Sequence, residues 1–146
     1  MDRTLVFTVG TGRNRADIAR AILFSIEQHN PDRVVLLCSE LTVKETLPFI
    51  LKELGDRRHE EHVVGNENDV QFLYQEYLEI LKKHSNVVVD FTSGTKAMSA
   101  ALFAAGIAAG AKQISYVIGP RDDTGRVVKS TGVLSFAPDL VVAERQ

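Results

Sequence analysis

Apolar residues in this chain fall into short unbroken runs separated by longer stretches of helical period. Thr4-Leu-Val-Phe-Thr-Val9, Arg33-Val-Val-Leu-Leu-Cys38, Asn86-Val-Val-Val89 and Gln113-Ile-Ser-Tyr-Val-Ile118 have the near-continuous hydrophobicity of strands covered on both faces. Between the first two, Ile18, Ala21, Ile22, Ser25 and Ile26 recur on one face of a predicted helix from about Asn14 to His29, stopped by Asn30-Pro31-Asp32. A second helix is predicted from Thr42 or Val43 to Leu54, with Leu47, Ile50, Leu51 and Leu54 at helical spacing. Pro48 predicts a kink or a delayed start, and Gly55 ends it. Asp56 to Glu61 reads as a polar connection and His62-Val63-Val64 as a short strand. Asn68 or Asp69 then caps a helix to Lys83 with Val70, Leu73, Tyr74, Tyr77, Leu78 and Leu81 inward, and a last helix is predicted over Thr95–Ala109.

After Ile118 the pattern changes. A turn at Arg121-Asp-Asp-Thr-Gly-Arg126 separates Ile118 from Val127-Val128-Lys129, and Thr131-Gly132 leads to Val133-Leu-Ser-Phe136. No helix fits between these segments, so they are expected as antiparallel strands at one sheet edge. The whole predicts a single α/β domain over residues 1–146: a Rossmann-like open, mostly parallel sheet with flanking helices and a C-terminal antiparallel hairpin. In the strand order 3-2-1-4-5, strands one and four are neighbours where the winding reverses, and ligands of such sheets sit beyond their carboxyl ends.

The two loops that follow those strands carry the chemistry. Asp90-Phe-Thr-Ser-Gly-Thr-Lys-Ala-Met98 ends a strand in hydroxyls and glycine and opens a helix, whose first N–H groups lack intrahelical partners and face an anion at the positive dipole end. Thr92, Ser93 and Thr95 offer hydroxyls, Gly94 allows close backbone approach, and Lys96 adds a charge that costs a few tenths of a kcal/mol there unless an anion is present. Gly10, Thr11, Gly12 and Arg13 form the other loop, with Arg15 and Arg20 beyond it. Neither loop contains an aromatic residue, so base recognition is expected from Phe91, Ser39-Glu40 or the Gly119-Pro120-Arg121 turn. Asp90 is expected to orient its loop rather than to act as an acid or base.

Two familiar phosphate motifs do not fit. A Walker A loop needs a glycine five positions before Gly94, and the dinucleotide fingerprint needs glycine where Arg15 stands. Glu40 does sit where a ribose-binding acid would, which keeps a Rossmann-type enzyme binding NAD or another nucleotide as the alternative reading.

Composition narrows the partners. A net charge of −2 argues against general DNA or RNA binding. The strand-like start at Thr4 leaves no room for a signal peptide, and the longest apolar run, Ala100 to Ala111, is too short to span a bilayer, so a cytoplasmic protein without a membrane is expected. Cys38, the single cysteine, is expected buried and inert. His59-Glu60-Glu61-His62 lacks H-E-x-x-H spacing, so neither a metal nor another cofactor is expected. His29 and His84 are expected at helix C-terminal ends. Small residues on every side of the Thr95–Ala109 helix suggest a second close neighbour besides the sheet, such as a partner subunit.

Asp90-Phe-Thr-Ser-Gly-Thr-Lys-Ala-Met98 resembles the D-x-[ST]-x-G-T-K-x-M motif of CARF domains, the CRISPR-associated Rossmann-fold sensors of type III antiviral systems, and Val9-Gly-Thr-Gly-Arg13 resembles their first-strand loop. The resemblance implies a homodimer that binds cyclic tetra- or hexa-adenylate across its two-fold axis. Gly10, Thr11, Gly12, Arg13, Ser39, Thr92, Ser93, Gly94, Thr95 and Lys96 would be the ligand-binding residues. It also implies that Lys96, Arg13 and Ser93 would support any slow, metal-independent ring cleavage, by attack of a ribose 2′-hydroxyl on the adjacent phosphate. No effector domain is recognisable, so the chain is expected to be a stand-alone sensor or the sensor part of a longer protein.

Overall fold

The computed structural model describes residues 2–10, 15–123, 125 and 127–138. Its elements are β1 (Thr4–Thr8), α1 (Arg15–His29), β2 (Arg33–Cys38), α2 (Glu40–Glu45), α3 (Leu47–Leu51), β3 (Arg58–Val63), α4 (Val70–Leu81), β4 (Val87–Asp90), α5 (Lys96–Ala108), β5 (Gln113–Ile118) and β6 (Gly132–Phe136). The sheet runs β3-β2-β1-β4-β5-β6. All pairs are parallel except β5–β6, which is antiparallel. The predicted Rossmann-like α/β sheet and its strand order are therefore present, with β1 and β4 adjacent at the reversal.

Both faces are covered, which is why the inner strands are apolar throughout. Val6, Val35, Leu37, Val89 and Ile114 face α4 and α5, meeting Leu73, Tyr77, Ala101, Leu102 and Ala105. Leu5, Phe7, Val34, Leu36 and Val88 face the other way onto Ile18, Ile22, Ile26, Leu47 and Ile50. Burying each such side chain stabilises the fold by about 1.5–3 kcal/mol.

Four expectations are corrected. The polar stretch read as a connection is mostly strand: β3 spans Arg58–Val63, pairs only with β2, and leaves most of its side chains exposed. An edge strand needs backbone partners on one side only, and its charges deter further pairing, so no apolar alternation announces it. The second helix is two short helices. α2 begins earlier than expected, behind its cap Ser39, and breaks at Thr46 because Pro48 in the first turn of α3 has no N–H to continue the ladder. In the tail, Val127 makes only an isolated bridge with Arg121, and one strand, not two, extends the sheet. Val70, expected inward, is exposed at the start of α4.

α5 lies against β4 and β5 through Ala101, Ala105 and Gly106. A Cβ added at Gly106 would stand 2.7 Å from Val89 Cγ2 and 3.1 Å from Ile114 Cδ1. Val89 is fully buried on an inner strand and stiff at χ1, so it has nowhere to go. Gly106→Ala should therefore destabilise the protein by about 1–3 kcal/mol, outweighing the ~1 kcal/mol that alanine gains in helix propensity. Thermal melting checks this, and an unchanged or raised midpoint would show that the helix can ride outward.

Candidate functional site

The site forms where the C-terminal ends of β1 and β4 meet. Thr8 Oγ1 donates to the Ser93 carbonyl, and the Gly10 N–H donates to Ser93 Oγ at 2.8 Å. Gly10 is in contact with the opposite loop: a Cβ there would lie 2.8 Å from Gly94 N and 2.9 Å from Ser93 Oγ. Gly94 has φ 105°, in the region that disfavours side chains, and its own Cβ would press on Met98 and Thr8. The glycines expected to admit a ligand thus first admit each other's loops.

Asp90 anchors the loop from below. It is buried; its Oδ1 accepts from Thr92 N at 2.9 Å and Thr92 Oγ1 at 2.5 Å, and its Oδ2 accepts from Ser25 Oγ at 2.7 Å and Ser115 Oγ at 3.1 Å. Its expected orienting role matches this geometry. His29 Nε2 lies 2.8 Å from Ser115 Oγ, so His29, which ends α1 as expected, is also a buried member of this network. Burial holds its pKa below the usual histidine value despite the Asp90 charge, and Arg3 pushes the same way.

This anchoring divides the loop's polar groups. Thr92 Oγ1 donates to Asp90 and accepts from Val117 N at 2.7 Å. Thr95 caps α5, accepting from Met98 N at 3.1 Å and donating to the Glu67 carbonyl at 2.7 Å. Both hydroxyls are used within the protein. Ser93 Oγ accepts from Gly10 and keeps its proton available, and Lys96 is exposed with no ion pair among the described residues. Beside them the amides of the first turn of α5 lack helical acceptors.

These groups edge a cavity of about 650 Å³. Gly10, Thr92, Ser93, Gly94, Lys96 and Ser99 are its polar lining, Phe91, Phe103 and Tyr116 form an aromatic end, and Ile18 and Val127 add apolar lining. Phe91 stacks on Tyr116 with centroids 4.9 Å apart and meets Phe103 edge-on at 5.2 Å. Ser99, Phe103 and Tyr116 were not singled out from sequence. Ser99 stands three residues from Lys96 and so shares its helix face, a signal that was available. Tyr116 reaches Phe91 only because β4 and β5 pair Asp90 with Ser115, a register no local pattern encodes.

Other expected residues lie elsewhere. Ser39 is a buried N-cap, sharing a capping box with Thr42, and does not line the cavity. Glu40 is exposed in the first turn of α2. Arg20 is largely exposed and pairs with Asp17. Thr11, Gly12 and Arg13 fall outside the described residues, as does the side chain of Arg15. His59-Glu60-Glu61-His62 lies on β3, where Glu60 pairs with His62 and His84 at 3.2 and 3.3 Å. Among the described residues no cluster of His, Cys, Asp or Glu is arranged to hold a metal ion, and no helix is long and apolar enough to cross a membrane. Cys38 is buried, its thiol pushed up to about 12 by burial.

No family model and no curated protein sequence matches the chain. Its fold is similar to that of Can2 from Sulfobacillus thermosulfidooxidans in complex with cyclic tetra-adenylate, with a TM-score of 0.64 and 23% identity over 80% of this chain and 32% of that one. It is equally similar to Csm6 of Enterococcus italicus bound to cyclic hexa-2′-fluoro-hexa-dAMP, with a TM-score of 0.64 and 20% identity over 82% of this chain and 34% of that one. The chain spans about a third of the length of the solved structures it matches.

The buried histidine makes stability depend on pH with a defined sign. With the His29 pKa below 6.5 in the folded state, the unfolded chain takes up its proton first as pH falls. Stability should therefore decline as pH drops through the ordinary histidine range and stop declining below the folded-state pKa. His29→Gln, which retains a polar partner for Ser115, should flatten that part of the profile in denaturant titrations from pH 7.5 to 5. An equal slope in both proteins would show that His29 does not carry it.

Proposed function

We propose that this chain is a CARF-type sensor domain that binds a cyclic oligoadenylate of type III CRISPR signalling across a homodimer interface. The observation that carries the reading is the convergence of the Gly10 and Ser93–Lys96 loops at the carboxyl ends of adjacent β1 and β4. There an unpaired lysine, a serine proton and an open helix N-terminus edge a mainly apolar cavity. That combination suits a phosphodiester joined to a base. The D-x-[ST]-x-G-T-K-x-M residues occupy this loop, and the Can2 and Csm6 structures of similar fold hold cyclic oligonucleotide rings.

Ring size supports the dimer. Cavities of roughly 300–1,000 Å³ enclose one drug-sized ligand, and about 650 Å³ falls within that range. A ring of four or six nucleotides is several times bulkier, so one protomer offers a fraction of the site and a two-fold axis supplies the rest. α5 also exposes Ala100, Ala104 and Ala108 at helical spacing on the side away from the sheet, a surface against which another backbone can pack closely. The described cavity lining contains no imidazole or carboxylate. Ring opening at this site is proposed as slow and metal-independent: the 2′-oxygen bonds to the adjacent phosphorus as the P–O5′ bond breaks, leaving a 2′,3′-cyclic phosphate and a 5′-hydroxyl that takes up the proton lost by the 2′-hydroxyl, while Lys96 and Ser93, with Arg13 from the undescribed loop, stabilise the phosphate.

Lys96→Ala should weaken binding of cyclic tetra- or hexa-adenylate by about 1.5–3 kcal/mol per subunit, the worth of a charge-assisted hydrogen bond. It should leave the unliganded melting temperature unchanged or higher, because alanine favours the helix and a cation at its N-terminus does not. Calorimetry and melting curves check both halves; full affinity in the variant would remove Lys96 from the site. If neither ring binds the unaltered protein while NAD does, the sensor reading fails.

Sedimentation of the purified chain with the ring present should give twice the 16.1 kDa protomer mass. A monomer that nonetheless binds the ring tightly would refute the shared site.

A further inference from the structure

The aromatic end of the cavity, formed by Phe91, Phe103 and Tyr116, has a structure of its own. Phe91 and Tyr116 stack with ring planes 26° apart, and Phe103 stands nearly perpendicular to Phe91, at 85°. On Tyr116 the Arg121 guanidinium sits 4.7 Å from the ring centroid. That guanidinium is itself fixed, donating to the Val117 and Gly119 carbonyls at 3.0 Å each. Tyr116 thus packs against both Phe91 and an arginine that two carbonyls hold in place. All three rings remain partly exposed and line the cavity rather than sealing into the core.

The spacing on α5 relates this end to the anion-binding end. Lys96, Ser99 and Phe103 follow one another at three- and four-residue steps and so lie along one helix face. The seven residues from Lys96 to Phe103 correspond to about 10 Å of helix rise. That is the span of a nucleotide from its phosphate to the far edge of its base. Aromatic side chains offer a planar heterocycle stacked or edge-to-face contact worth about 1–3 kcal/mol per base, and prefer no particular base sequence.

Resting on the sensor reading above, we infer that this end of the cavity is a nucleobase subsite. The base of the nucleotide whose phosphate sits at Lys96 lies against Phe103 and the Phe91–Tyr116 pair. Arg121 is a positioning residue that holds Tyr116 in place without touching the ligand. The phosphate end then sets where the ring sits, and the aromatic end supplies the preference for a ring that carries planar bases.

The test is isotope-filtered NMR on uniformly labelled protein with unlabelled cyclic tetra-adenylate and cyclic hexa-adenylate, paired with calorimetry. Adenine H2 and H8 protons should show contacts to the ring protons of Phe103 and Tyr116. Phe103→Leu, which keeps apolar bulk but removes the ring, should weaken binding by roughly five- to 150-fold. Arg121→Lys, which cannot bridge two carbonyls and the ring face together, should weaken binding and broaden the Tyr116 ring signals. Binding that shifts the Lys96 amide with no base-to-ring contacts would overturn the subsite and leave the sensor reading standing. No binding of either ring would overturn both. If Phe103→Leu does not fold, the contacts in the unaltered protein still decide.

Discussion

The site depends on one buried carboxylate. Asp90 ends a fully buried strand and makes no ion pair among the described residues. A buried charge left unsatisfied would cost several kcal/mol. Here it is balanced by dipoles: hydroxyls from α1 and β5, and the amide and hydroxyl of Thr92. Because each donor must point at one of two oxygens, the carboxylate fixes α1, β4, β5 and the loop relative to one another. The loop's shape is then set by satisfying Asp90, and what reaches the cavity is whatever that satisfaction leaves unused.

The same division explains which residues in the motif face a ligand. From sequence, Thr92, Ser93 and Thr95 are equivalent hydroxyls beside a lysine. In the fold, the Thr92 hydroxyl is taken by Asp90 and Val117 and that of Thr95 is committed to capping α5, so Ser93 and Lys96 remain. The motif combines a loop that binds with the fittings that hold it. Chemical type alone cannot separate the two, because a hydroxyl that caps and one that binds anions are the same group. Hydrogen-bond partners separate them.

How much was legible follows from range. The inner strands, the reversal between β1 and β4 and the anion-binding loop were readable because continuous apolar runs and a strand-glycine-helix transition are local patterns. β3 was hidden because it draws only on backbone pairing with β2 and leaves its side chains free to be charged. The His29–Ser115–Asp90–Ser25 network joins residues 25 to 86 positions apart, and the Phe91–Tyr116 stack depends on strand register. Neither has a sequence period to detect. Ser39 shows the opposite failure: position after β2 and chemical type suggested a ligand contact, but the residue is consumed by a capping box.

Two local rules are broken within seven residues of one another. A carboxylate is buried without a cation, and a lysine stands at the positive end of a helix with no partner among the described residues. Each is unfavourable for the unliganded fold. The first is repaired inside the protein by four hydrogen bonds; the second is not repaired by any described residue. Sequences agree with their folds at most positions, and departures without internal compensation concentrate where function demands them. An anion arriving at the α5 N-terminus would neutralise Lys96 and satisfy the free amides together, turning a feature that the described residues leave uncompensated into a source of binding energy. Asp90 makes this possible by a division of charge: held inward by hydroxyls, it leaves the field at the mouth of the cavity to the lysine and the helix end.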